Sequence, residues 1–347
     1  MGIWYKPLLV LPLLNVSVTL PQKRTIMSAD LLLKIVDRSN LDEKAWNIFI
    51  ANSPQCANYA MTWYLDVVSP HWQGIQVFYK NELHAVMPIR VSSKYTIRYV
   101  LQPMLCQYGG IFFREIGGKT EKEMALKKKL VRAVVEAIQK KRLRLFTVNF
   151  SPEFDYPLPF HWAGYGLRTR YTYWLHNRTD KRALFKNFNE RTRTYINKAN
   201  KSGLVPKQVA DIDPLVQLSR KHDSYNIDYQ MLSQLWEAMK QQGVGRAIEV
   251  RDNNNRLHAG LIYQISGHKQ VHLFSAKDPA LTNLGGMSLA IWYSIEQAGE
   301  DIEIHDFEGS MLEPVEHFFR GFGTRPVPYL QITKNDFPKS VKWLMES

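Results

Sequence analysis

The segment from His258 to Gly323 constrains the fold of this chain more than any other. Its periodicities predict two strands, His258–Ser266 and Gln270–Ala276, then a glycine-bearing turn and an amphipathic helix over Gly286–Ala298. A strand over Glu303–Phe307 comes next, and a short helix over Leu312–Phe319 runs into His317-Phe318-Phe319-Arg320-Gly321-Phe322-Gly323. That order sets a ligand loop at a sheet edge and a cationic, aromatic-rich turn just beyond the next strand.

The remaining elements fall into two similar series. In the first half, helices are predicted over Leu41–Ala51 and Tyr59–Val68. Strands Ile75–Tyr79 and Leu83–Val91 form a hairpin about Asn81-Glu82, and further strands lie at Tyr95–Gln102 and Ile111–Phe113. A helix over Glu121–Lys140 and a strand over Leu143–Phe150 complete it. Pro152, Pro157 and Pro159 mark a linker, after which Tyr171–Leu175 reads as a strand and Lys181–Lys201 as one cation-dense helix. Helices over Asp213–His222 and Tyr229–Gln242 and a strand over Ala247–Arg251 lead up to His258. Pro328–Thr333 is the closing strand. Helices, an antiparallel meander, a helix and a strand thus occur twice, the order expected of a duplicated α/β unit.

Composition narrows the partners. The formal net charge of +13 favours anionic ligands such as nucleotide cofactors, RNA or lipid phosphates, although solubility alone also accounts for it. Cys56 and Cys106 lack metal or redox spacing, which suits a reducing compartment, so a cytoplasmic location is expected. The apolar run Leu8–Leu14 is interrupted by Pro12 and is too short to span a bilayer. Residues 1–27 are expected to be a loose tail or an upstream mis-start, with Met27-Ser28-Ala29-Asp30 the cleaner opening.

Several patterns carry chemistry. Gln242-Gly243-Val244-Gly245-Arg246-Ala247 matches a pyrophosphate-cradling pattern but lies between a helix and a strand, where a helix stop is the better reading. Asn283-Leu284-Gly285-Gly286 is better placed, opening a helix after a strand, where close backbone approach and the helix dipole both suit an anion. Alternation sets Asp306 and Glu308 on one face of their strand and His305 and Phe307 on the other; a carboxylate there can accept a proton from an attacking amine. The competing roles for it are capping the next helix at Ser310 and pairing with Arg320. Arg320 itself suits phosphate. His268 and His272 are too far apart along a strand to share a zinc ion, and no metal site is expected. The helix Lys181–Lys201, with Tyr195, reads as a solvated face or an RNA surface.

Phe188-Asn189-Glu190-Arg191-Thr192-Arg193, Ile196, Lys198-Ala199 and Gly203-Leu204 together resemble a segment of the Fem-like GNAT acyltransferases. Ala259-Gly260, Ser275, Asn283-Leu284-Gly285-Gly286, Trp292, Asp306-Phe307-Glu308-Gly309 and Phe318-Phe319-Arg320-Gly321-Phe322-Gly323 resemble that family's second domain. Trp63 and Gln107-Tyr108-Gly109-Gly110 resemble elements of the first. The resemblance runs from about Ser28 to Thr333. It implies an α/β (α+β) chain of two tandem GNAT-like domains, 28–163 and 164–347, each a mixed, mostly antiparallel sheet flanked by helices.

It further implies transfer of an acyl or aminoacyl group from an activated donor to an amine on a small-molecule or lipid-linked acceptor such as a cell-envelope precursor. The loop Thr282–Gly286 departs from the ordinary pyrophosphate motif, which leaves the donor open between acyl-CoA, acetyl-CoA included, and aminoacyl-tRNA, with tRNA then a partner. In this reading Asp306 or Glu308 takes the proton. Ser275, Asn283, Gly285, Gly286 and Arg320 hold the donor, and Tyr108, Gly109 and Trp63 line the acceptor side. The alternative is a non-catalytic GNAT-derived module that binds an anionic polysaccharide, an envelope precursor or RNA. Oligomeric state is not legible.

Overall fold

The computed structural model describes residues 24–28, 30–177, 180–221 and 227–337. The first half contributes β1 (Arg24–Ser28), β2 (Leu31–Asp37), α1 (Glu43–Ala51), α2 (Thr62–Val68), β3 (Gln73–Tyr79), β4 (Glu82–Ile89), β5 (Ser92–Lys94), β6 (Ile97–Leu101), β7 (Phe112–Phe113), α3 (Thr120–Gln139), β8 (Leu145–Asn149) and α4 (Leu158–Trp162). The second contributes β9 (Gly166–His176), α5 (Lys181–Lys186), α6 (Glu190–Lys201), β10 (Val205–Val209), α7 (Asp213–Lys221), α8 (Tyr229–Gln241), β11 (Gly245–Arg251), β12 (Leu257–Ser266), β13 (Lys269–Lys277), α9 (Gly286–Glu296), β14 (Ile304–Asp306), α10 (Glu313–Arg320) and β15 (Arg325–Asn335).

Differences from the sequence expectations have local causes. The β3–β4 turn is Lys80-Asn81, both with positive φ (49° and 65°), so a two-residue turn with the twist of its strands closes one position earlier than expected. The helix expected over Lys181–Lys201 breaks in two. Phe188 turns inward against Trp292 and Phe322, and Asn189 caps the new helix by accepting from Thr192 N (2.8 Å). β1 pairs with β2 along a stretch expected to be tail, while residues 1–23 lie outside the described residues. The His222 end of the helix expected from Asp213 also lies outside them.

The strands form a five-stranded sheet, β1-β2-β3-β4-β7, and a ten-stranded one, β10-β11-β12-β13-β14-β9-β15-β8-β6-β5. The larger sheet crosses from one half into the other, because the long β15 pairs with β9 on one side and β8 on the other. One core under α3 gathers Val131, Val134 and Ile138 against Ile75, Phe146 and Ile332. A second packs α9 with Tyr173, Phe188, Phe307 and Phe322. A third joins the halves, with Trp46, Tyr59, Tyr64 and Tyr108 of the first against Leu215, Trp236, Val271 and Tyr329 of the second.

Two features of the large sheet shape the region around the end of β14. β13 and β14 run parallel and pair only over Lys269–Val271 with Ile304–Asp306; beyond that they part, and β13 continues to Lys277 alongside β12 alone. A bulge at the parting point moves the β12–β13 register from Tyr263↔His272 to Ile262↔Phe274. On β9, alternation sets Arg168, Arg170, Thr172 and Trp174 on one face, with Tyr173 and Leu175 in the core on the other.

Candidate functional site

Asp306 ends β14 and is 1 % exposed. Its Oδ1 accepts from Thr172 Oγ1 (2.5 Å), across the sheet on β9, and from the Glu308 backbone N–H (3.0 Å). Burial pushes its carboxyl above the ordinary carboxylate value, opposed by the Thr172 and Trp174 side chains, the charge of Lys269 and the Glu308 amide. Glu308 stands two residues on with φ 47°, a left-handed conformation that a glutamate adopts only when its surroundings impose it. Its carboxylate accepts a hydrogen bond from the Tyr59 hydroxyl, which comes from the first half. Burial, with the neighbouring charge of Asp306 adding to it, drives the Glu308 carboxyl well above the ordinary range against the pull of that bond.

The two carboxyl groups therefore differ. Asp306 has four groups favouring its charged form and Glu308 has one, so negative charge is favoured on Asp306 over Glu308. Around them the first half supplies an aromatic wall. Tyr59 meets Tyr64 and Tyr108 edge-on at 5.3 and 6.0 Å, and Tyr108 meets Tyr329 of β15 at 5.2 Å. The Tyr108 hydroxyl and Trp174 Nε1 are two buried donors beside Asp306, Trp174 directed at its carboxyl group and Tyr108 at Thr172. On the far side of Trp174, the Lys269 ammonium lies 4.4 Å from the indole ring centre and pairs with Glu153.

Of the residues singled out from the sequence, Asp306, Glu308 and Tyr108 are thus brought together. Gly109 holds the turn behind Tyr108 by donating to Asn149 O (2.7 Å). Trp63 packs on Tyr64 at 5.4 Å, one ring removed from the carboxyl pair. Ser275 lies on β13 beyond the parting from β14, opposite Leu261 of β12. Asn283 caps the turn before α9 by accepting from Gly285 N (3.1 Å), while its own carbonyl accepts from Lys198 (3.1 Å). Gly285 has φ 90°, and a Cβ there would collide with the Tyr195 carbonyl of α6. Gly285 therefore permits the close packing of α6 on α9, while Gly286 sits against His258 and Ala259 of β12. Arg320 is largely exposed on α10, pairing with Glu316 (2.9 Å) and meeting His317 Nδ1 (3.2 Å).

Tyr59, Thr172, Trp174, Lys269 and Tyr329 were not legible as site residues. The i, i+2 spacing of Thr172 and Trp174 within an expected strand was the one available signal. His272 and His305 lie on the opposite face of the sheet, and burial pushes both rings down to about 3. Among the described residues no group of three or more His, Cys, Asp or Glu could hold a metal ion, and no helix is long and apolar enough to cross a membrane.

The buried proton on Glu308 makes stability depend on pH. A carboxyl whose pKa is raised by folding favours the fold fully below its unfolded value, here 4.5, and that contribution is lost as pH rises through the folded value. Glu308→Gln keeps an acceptor for Tyr59 and removes the titration. Its Tm should match the wild type near pH 4.5 and exceed it increasingly as pH rises, by roughly 1–2 °C per kcal/mol relieved in a chain of this size. A pH series of thermal melts checks this.

No family model matches the sequence, and no curated protein matches it. Solved structures do. FemX superposes with a TM-score of 0.65 at 12% identity, covering 88% of this chain and 99% of that chain. L-PGS from Bacillus licheniformis gives 0.54 at 10% identity, over 88% and 96%. A tandem GNAT protein from the clavulanic acid biosynthesis pathway gives 0.54 at 11% identity, over 88% and 99%. What is shared is the fold, a Fem-like tandem GNAT architecture in which both sheets are mostly antiparallel.

Proposed function

We propose that this chain transfers an acyl or aminoacyl group from an activated donor to an amine, at the carboxyl pair Asp306–Glu308. The observation that carries the reading is the convergence of Tyr59 and Tyr108 from one half on Asp306 and Glu308 from the other. Two carboxyl groups sharing one buried site, with their affinities for protons pushed apart, are equipped as a base and an acid. The fold likeness to FemX, L-PGS and a tandem GNAT protein supports the same class of chemistry.

In this mechanism the amine nitrogen attacks the carbonyl carbon of the donor thioester or ester while Asp306 takes one of its protons. The new C–N bond forms, the C–S or C–O bond breaks, and Glu308 gives its proton to the departing thiolate or alkoxide. Proton exchange between Asp306 and Glu308 then restores the starting pair. Trp174 offers a hydrogen-bond donor to Asp306, and Tyr108 with Gly109 behind it lines the acceptor side, Trp63 supporting the aromatic wall.

The donor, acyl-CoA or aminoacyl-tRNA, enters where β13 parts from β14. The unpaired edge of β13 near Ser275 presents backbone groups to it, and the first turn of α9, shaped by Asn283, Gly285 and Gly286, favours its phosphate. Arg320 contributes only by exchanging Glu316 for the donor. The acceptor is an amine-bearing small molecule or lipid-linked precursor of the cell envelope.

Thermal denaturation with acetyl-CoA, longer acyl-CoAs and charged tRNA tests the reading. One donor should raise Tm in a concentration-dependent way, by about 2.7 kcal/mol of apparent stability at a hundredfold excess over its Kd. If no donor moves Tm and Asp306→Asn is indistinguishable from wild type in ligand response, the reading fails and a non-catalytic binding module takes its place.

A further inference from the structure

Resting on that reading, we infer that Lys269 is a positioning residue of the transfer site. Clamped by Glu153 of the first half, it lies over Trp174 and, through the indole and through its own charge, keeps Asp306 ready to take the amine's proton. The register of the sheet sets the arrangement. β9 places Trp174 directly opposite Asp306, and β13 places Val271 opposite it from the other side, with Lys269 two residues back on the same face. Lys269 opens β13 opposite Ile304, so its side chain crosses β14 to reach the Trp174 ring, where the ammonium lies 4.4 Å from the ring centre.

Lys269 is 8 % exposed, and a lysine is seldom buried unless it is paired. Its partner is Glu153, in the segment that follows β8. Burying an ion pair gains little stability over apolar side chains of the same size, so the use of this pair lies in what the ammonium faces. It faces an indole whose N–H is directed at Asp306. A cation on the face of the ring draws on its electrons and makes the N–H a stronger donor. The positive charge also favours a negative Asp306 directly.

The other groups around Asp306 are Thr172 on β9, Tyr329 on β15, Tyr59 and Tyr108 of the first half, and Glu308 in the following loop. None of these is a cation. Beside Lys269 stand Glu153 and the Cys56 thiol, while His272 and His305 lie on the opposite face of the sheet. The first half thus bears on both carboxyl groups, Tyr59 on Glu308 and Glu153, through Lys269, on Asp306.

Carbon-13 NMR of the aspartate carboxyl groups in the whole chain tests this without any substrate. The Asp306 resonance is identified by its loss in Asp306→Asn, and its titration midpoint is followed. Lys269→Met should move the midpoint up by about one pH unit, as expected for loss of an opposite charge. Lys269→Arg should hold it within about 0.3 of wild type, because a guanidinium also stacks on an indole and pairs with a carboxylate. Trp174→Phe keeps a ring under the cation without the N–H and should move the midpoint up by less. If Lys269→Met leaves Glu153 unpaired and the fold damaged, Glu153→Gln/Lys269→Met removes both charges and should still move it up. A midpoint that stays in place in the folded methionine variant, or that moves as far in Lys269→Arg, overturns the inference. Where amide formation is measured, the acidic limb of the rate should move with the resonance and the rate should recover at higher pH. An equal loss at every pH would make Lys269 a packing residue only. The titration needs no turnover, so a midpoint that moves as expected in a chain forming no amide would leave the hold of Lys269 on Asp306 standing while the transfer reading falls.

Discussion

Asp306→Asn should lower amine-dependent consumption of the donor by about 10²- to 10⁴-fold, the span typical of losing a positioned acid–base group. The substitution keeps the size of the side chain, and an amide oxygen can still accept from Thr172 Oγ1 and the Glu308 N–H. Circular dichroism and gel filtration should therefore match wild type. The variant also removes the charge that raises Glu308, so the pH profile should change as well as the rate. In wild type, activity should fall at low pH as Asp306 is protonated, and at high pH as Glu308 loses its proton. Both limbs belong to the pair rather than to either residue. Steady-state rates across a pH series check both, and a rate within about threefold of wild type would remove Asp306 from the chemistry.

Gly309→Ala should be the most damaging small substitution for the fold around the site. A Cβ at Gly309 would overlap the Tyr171 carbonyl and lie 2.5 Å from Thr172 Cα, both backbone atoms that cannot swing aside. Gly309 N also donates to Thr172 Oγ1 (3.1 Å), the hydroxyl that holds Asp306. Relief requires β9 and the strand end carrying Glu308 to separate, so a cost of about 3 kcal/mol or more is expected, together with loss of activity. Gly117→Ala, where an added Cβ meets nothing within 4 Å, is the matched control and should change stability by about 0.5 kcal/mol or less. Chemical denaturation of the two variants measures both, and a neutral Gly309→Ala would mean that the strand end does not bear on β9 as described.

Local patterns carried much of this architecture. The alternation of His305, Asp306, Phe307 and Glu308 put the carboxylates on one face and the core residues on the other. In the structure Phe307 packs on Phe319 and Phe322 while Asp306 turns to Thr172. The order of elements after His258 was legible for the same reason, since each element's period is a property of its own residues. What depended on distant contacts was not. Tyr59 meets Glu308 across 249 positions, and no local pattern marks a tyrosine in a short turn as the partner of a buried acid.

At Gly285 the sequence shows a glycine opening a helix, but not that the Tyr195 carbonyl of another helix lies against it, a contact set by tertiary packing. Arg320 illustrates a signal passed over rather than missing. Glu316 stands four residues earlier, the spacing at which a helical ion pair forms, and the pair is present. The single sheet that crosses both halves was hidden because strand order depends on tertiary pairing of β15 with β8 and β9.

The most direct test of the central claim is product formation itself. The purified chain is mixed with each of acetyl-CoA, longer acyl-CoAs and charged tRNA, with and without a panel of primary amines, and new amide is detected by mass spectrometry. One donor should yield an amide with an amine acceptor, released thiol or deacylated tRNA should match it mole for mole, and Asp306→Asn should nearly abolish both. Amide formation that proceeds equally well in Asp306→Asn, or no amide from any donor that stabilises the fold, would contradict transfer at the carboxyl pair.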